Sequence, residues 1–196
     1  MPKPTKGLEM RDWKNTRAMW TNTLEKKTGK GLAYWKKRVA EFSPEDKSSL
    51  REWLRQQGVA GYAAQVVVME HFGYPDFVVR SGADLIGAQY TDRPQLRAIY
   101  DRIVKAAQEF GPIVIQARKG YVSLLSPRKT FARIQATTKT RLDLGLRLMA
   151  AKPNGRLLPG KIHETMPVQL AFSSVGDLDQ EALRWLRAAY DEAQTK

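Results

Sequence analysis

The chain has 196 residues, 42% of them apolar and 27% charged, with a formal net charge of +13 and no cysteine. That length supports one substantial domain or two small ones, and the composition is that of a folded chain rather than a disordered one. Without cysteine there can be no disulfide, thiolate metal centre or thiol nucleophile, and a reducing compartment is permitted.

Residues 1–8 are too polar for a signal peptide and are expected to form a flexible tail. A first helix is predicted from near Leu8 to the small-residue break at Thr28-Gly29-Lys30-Gly31. A second places Leu32, Trp35, Val39 and Phe42 on one face. The third starts with Ser43 as N-cap and Pro44 in the first turn, buries Leu50, Trp53 and Leu54, and stops at Gly58. A fourth runs over about residues 60–72. Its apolar run is broken by Gly61 and Gln65 and falls short of the roughly 20 residues that span a bilayer, so a cytoplasmic protein with no membrane partner is expected. Trp13, Trp20, Trp35 and Trp53 recur at helical spacing and are expected in the core of a helical domain over 9–80.

Residues 81–91 are taken as a linker with a short helix over 83–90, and 92–196 as a basic α+β domain. A long helix over 92–110, capped by Thr91 or Asp92, buries Leu96, Ile99, Tyr100, Ile103, Val104, Ala107 and Phe110. The period then changes to two, with strands over 113–115 and 121–125 and a turn at Ser126-Pro127-Arg128. A last helix over 179–193 carries Ala182, Trp185, Leu186, Ala189 and Tyr190, with Asp177 and Gln180 placed as a capping box.

Between Arg118 and Lys161 there are eleven cations and one acid, Asp143. A positive field so concentrated points to a polyanionic partner. Over 131–148, even positions are mostly apolar and odd positions mostly polar, which predicts a hairpin turning near Thr137-Thr138-Lys139. A three-residue or five-residue loop keeps the two faces pure. In the register that pairs Ala136 with Thr140, Ile134 faces Leu142 and Ala132 faces Leu144 on the core side. Outside, Arg133 faces Asp143, and Phe131 covers Gly145. The outer face then offers Lys119, Arg133, Lys139, Arg141 and Arg147 to phosphates, with Phe131 or Tyr121 able to stack on an unpaired base.

Other motifs carry less. Gly155 to Lys161 has the spacing of a phosphate-binding loop, but Ile162 stands where a magnesium-ligating hydroxyl belongs. With His71 and His163 as the only histidines, no histidine-rich metal site is possible, and neither a metal nor another cofactor is expected. The pairs Glu45/Asp46 and Asp177/Asp179 read as helix-start residues. No catalytic residue is assigned.

Two stretches carry a resemblance. Lys27-Thr28-Gly29-Lys30-Gly31-Leu32 with Trp35 and Gly61-Tyr62-Ala63 resembles a small helical domain of unknown function found in bacterial proteins. Lys119 to Ser123, Phe131, Gln135 and the run Thr137 to Leu146 resemble a second uncharacterised domain, often joined to the first. Relatives of the second are labelled predicted transport proteins and are similar to modules attached to nuclease-like domains; neither resemblance implies catalytic residues.

The expectation is an α+β protein: an N-terminal helical bundle, then an antiparallel sheet packed against two helices. The leading function is non-enzymatic nucleic-acid binding by an accessory module. Two alternatives stand beside it. One is a small-molecule or enzymatic pocket for an anion, with Tyr121, Ser123, Lys139, Arg141 and Asp143 converging. The other is an adaptor whose helical half recruits an acidic protein.

Overall fold

A computed structural model describes residues 9–11 and 13–195. The tail expected over 1–8 lies outside them. The chain divides into a helical unit, Asp12–Arg80, and a second unit that joins the strand at Glu9–Arg11 to Ser81–Lys196.

In the helical unit, α1 (Trp13–Thr28), α2 (Leu32–Phe42), α3 (Lys47–Gln56), α4 (Tyr62–Phe72) and the single turn α5 (Asp76–Val79) follow one another. Leu24, Trp35, Val39, Leu50, Leu54, Val59, Ala63, Val66 and Val67 form its core. The first helix starts later than its apolar pattern suggests, because Glu9–Arg11 is a strand. The third starts later too. Ser43 ends α2 in the left-handed region, φ 50°, while Asp46 caps α3 by accepting from Ser49 N at 2.7 Å, and Ser49 Oγ accepts from Asp46 N at 3.1 Å. A reciprocal cap satisfies two end donors, which Ser43 alone cannot do.

The second unit is α+β. It contains β1 (Glu9–Arg11), α6 (Gly82–Tyr90), α7 (Pro94–Gln108), β2 (Val114–Ala117), β3 (Val122–Leu125), β4 (Thr130–Ala136), β5 (Leu142–Leu146), β6 (Leu158–Pro159), β7 (Val168–Phe172) and α8 (Gln180–Glu192). These strands form one sheet in the order β1-β2-β3-β4-β5-β7-β6. The β1–β2 pair is parallel and the others are antiparallel. Residues 81–91, expected as a linker, are mostly α6, and Leu85, Ile86 and Tyr90 enter the core. The α7 stripe lies in that core as its spacing predicts. No side chain caps α7, whose N-cap position is Arg93, and α8 is capped by Asp179, which accepts from Ala182 N at 2.9 Å. Asp177 instead belongs to a 3-10 turn, Val175–Asp177, with Ser174.

The core face of the sheet carries Ile115, Val122, Leu124, Ile134, Leu142, Leu144, Leu146, Val168, Leu170 and Phe172. The even-numbered apolar set of the central hairpin is therefore inside, but the register differs from expectation by two. Ala136 pairs with Leu142, Ile134 with Leu144, and Arg133 with Gly145, leaving a five-residue loop over 137–141. In that loop Thr137 N and Thr138 N both donate to Arg141 O, at 3.0 and 3.2 Å. From the start of α7, Arg93 Nη1 donates to Ala136 O and Thr138 O, and Gln95 Nε2 to Lys139 O. These bonds fix the longer loop, and the loop fixes the register.

Among the described residues no helix is long and apolar enough to cross a membrane.

Candidate nucleic-acid interface

Strand alternation assigns the side chains of the outer face. One row crosses the sheet through Gln116, Ser123, Arg133, Gly145 and Gln169. The next, nearer the 118–121 turn, holds Gln135, Asp143 and Ala171.

Arg133 is the centre of this face. Its guanidinium lies 4.0 Å from the centroid of the Tyr121 ring, and its Nε is buried without a hydrogen-bond partner. Burial holds its pKa below the ordinary guanidinium value, opposed by the Tyr121 phenol and reinforced by the charge of Arg118. It forms no ion pair among the described residues. The side chain stays protonated at neutral pH, because an arginine in a protein does not lose its proton there. Beside it, Ser123 is only 3% exposed and Gln135 is half-buried, and neither side chain makes a hydrogen bond among the described residues.

Because β2 to β5 form an antiparallel meander, the 118–121 turn and the 137–141 loop lie at the same end of the sheet. Arg118 and Lys119 come from the first, and Lys139 and Arg141 from the second. Lys119 and Lys139 are exposed. Arg147 follows the far end of β5 and lies at the opposite end of the sheet, with Arg128 and Lys129. Of the eleven cations in 118–161, only Arg141 and Arg156 form ion pairs among the described residues.

Two of the expected positions change meaning. Phe131 is fully buried, edge-on to Tyr190 with ring centroids 5.3 Å apart, and offers nothing to a base. The register shifts where Leu124 pairs with Ala132 and Leu125 with Thr130, so Phe131 is the extra residue of a bulge, which turns it inward against the alternation. It does not cover Gly145. A Cβ there would meet Ile162 Cδ1 at 2.7 Å and Met166 Cβ at 3.0 Å, so the segment 160–167 lies over β5 and ends the open face.

Asp143, expected opposite Arg133, lies opposite Gln135 and Ala171 and is 1% exposed. It pairs with Arg141, Nη2 to Oδ1 2.8 Å, and accepts from Arg141 Nε at 2.9 Å, Gln169 Nε2 at 3.3 Å and the Thr137 hydroxyl. A carboxylate so fully engaged holds the loop in place, with little left for a ligand. Arg156 is likewise spent, bonding Asp179 and Asp177 O at the start of α8, which leaves no phosphate-binding loop at 155–161. Among the described residues no group of three or more His, Asp or Glu is placed to hold a metal.

In the helical unit Trp35 is buried, while Trp13, Trp20 and Trp53 are half-buried. Tyr62 stacks on Trp20 and Phe42 on Trp53.

The sequence signal for Tyr121, Ser123, Arg133 and Gln135 was their common parity; nothing local announced Arg118 or Gln169 as their neighbours. No curated protein and no solved structure matches the chain. The domain of unknown function designated DUF5655 matches residues 86–193. That stretch takes in the 118–121 turn, the 137–141 loop and every strand from β2 to β7, so the surface described above lies inside it and the chain belongs to the DUF5655 family.

Proposed function

We propose that the protein is a non-enzymatic nucleic-acid-binding module whose contact surface is the outer sheet face and the end formed by the 118–121 turn and the 137–141 loop. The observation that supports this most is that the charge of Arg118 acts on the partly buried Arg133 while neither side chain forms an ion pair among the described residues. Folding brings two cations together there against their mutual repulsion, and an anion is what relieves it. Lys119 and Lys139 extend the same field into solvent, where phosphates reach them first.

Fluorescence anisotropy with labelled DNA and RNA at low salt tests the reading. If Arg118, Lys119 and Lys139 each meet one phosphate, the plot of log affinity against log salt has a slope of about −2 on a single strand and somewhat steeper on a duplex. Replacing Lys119 and Lys139 by alanine lowers affinity and flattens that slope. Absence of binding to any nucleic acid at low salt, or an affinity indifferent to both replacements, removes the proposal.

A further inference from the structure

We infer that this surface selects unpaired nucleotides over duplex, with a base stacked on the Tyr121–Arg133 pair and Gln135 placed to hydrogen-bond its edge; the inference rests on the nucleic-acid reading above.

Ile162 and Met166 lie over Gly145 and form a ridge along β5. Between that ridge and the sheet edge, β1 to β4 leave a floor of three strand spacings, on the order of 14 Å across. Half-buried Arg133 lies on that floor on β4, opposite Ser123 of β3, which is only 3% exposed. In a duplex the base faces are stacked away, and base edges are read by a helix or ribbon that enters a groove. A floor beside a ridge enters nothing. Bases splayed from a single strand can turn down onto it while the backbone stays above.

Chemistry points the same way. Backbone phosphates need only charge, and Lys119 and Lys139 supply it from exposed turns. Arg133 is built differently, since its plane is packed against an aromatic ring at 4.0 Å and its Nε is buried. A guanidinium so placed offers a flat cationic surface on which a base stacks. The amide of Gln135 on the same strand has both a donor and an acceptor to give, which suits the polar edge of an unpaired base.

The test compares a labelled oligothymidine of about 12 nucleotides with a blunt duplex of the same length, at one salt concentration, using the full chain. The single strand is expected to bind about tenfold tighter or better. Tyr121→Ala and Arg133→Lys each lower single-strand affinity about tenfold and leave duplex affinity unchanged, while Tyr121→Phe binds as the parent does. Arg133→Lys keeps the charge and loses the plane, so it separates stacking from electrostatics even if Tyr121→Ala proves poorly folded by circular dichroism. Equal affinity for the two forms, or full single-strand affinity in Arg133→Lys, overturns the inference and leaves the nucleic-acid reading standing. Failure of both probes to bind overturns the two together.

Discussion

Phe131 shows how much one backbone irregularity decides. Parity alone assigns it to the outer face with Arg133, but the bulge on β4 moves it into the core against Tyr190. Phe131→Ala should therefore destabilise the sheet unit by about 3–5 kcal/mol, the usual cost of emptying a large aromatic site, read as a shift in the denaturant midpoint. Phe131→Leu, which refills most of the volume, should bind nucleic acid as the parent does; a selective loss of binding in that variant would put the ring back on the surface. Alternation does predict the faces of Ile134, Leu142, Leu144, Arg133 and Gln135, because a one-residue slip would bury charge. It does not predict a bulge, since inserting one residue leaves the composition on either side unchanged. Asp143 was misplaced for a related reason: its partner depends on loop length, and three-residue and five-residue loops keep the same parity.

Elements are held by contacts distant in sequence. The carboxylate of Glu70 on α4 receives Arg17 from α1, Nε to Oε1 2.7 Å, Lys36 from α2, Nζ to Oε2 3.2 Å, and the Tyr74 hydroxyl. Burial pushes its pKa up, but the bonds from Tyr74, Arg17 and Lys36 outweigh that and leave it below the ordinary value. A depressed folded pKa means stability that is complete above the unfolded value of about 4.3 and lost as pH falls through the folded pKa. The helical unit should thus weaken in acid. Glu70→Gln should cost about 1–3 kcal/mol at neutral pH and remove this part of the acid sensitivity. Tryptophan fluorescence reports it, because Trp13, Trp20, Trp35 and Trp53 all lie in this unit; an unchanged acid profile in Glu70→Gln would contradict the argument. Helices of this unit were legible from apolar spacing and glycine breaks, whereas the choice between Ser43 and Asp46 as cap was not, since it depends on Ser49 reciprocating. The strand β7 did carry a signal, Val168, Leu170 and Phe172 alternating with Gln169 and Ala171, which its surroundings of loop residues obscured.

At the scale of the whole chain, the question is whether +13 acts as a diffuse cloud or through a local surface. The helical unit compensates several of its own charges: Arg17 and Lys36 meet Glu70, Arg38 meets Glu41, and Arg55 meets Glu52. In the sheet unit, Arg118, Lys119, Arg133 and Lys139 have no such partners among the described residues. Paired removals distinguish the two cases. Lys26→Ala with Lys27→Ala, in the last turn of α1, and Lys119→Ala with Lys139→Ala, at the sheet end, subtract the same two charges from the chain. A diffuse field responds alike to both, because it depends on the summed charge of the chain and not on where each charge sits. A local surface does not. Removing Lys119 and Lys139 should then lower affinity for a single strand about tenfold or more at low salt and reduce the steepness of the salt plot by about 1.4, the share of two neutralised phosphates. Removing Lys26 and Lys27 should change affinity by less than about twofold and leave the slope alone. Equal effects from the two pairs would assign binding to the overall charge of the chain and not to the turn and loop that the sheet brings to one end.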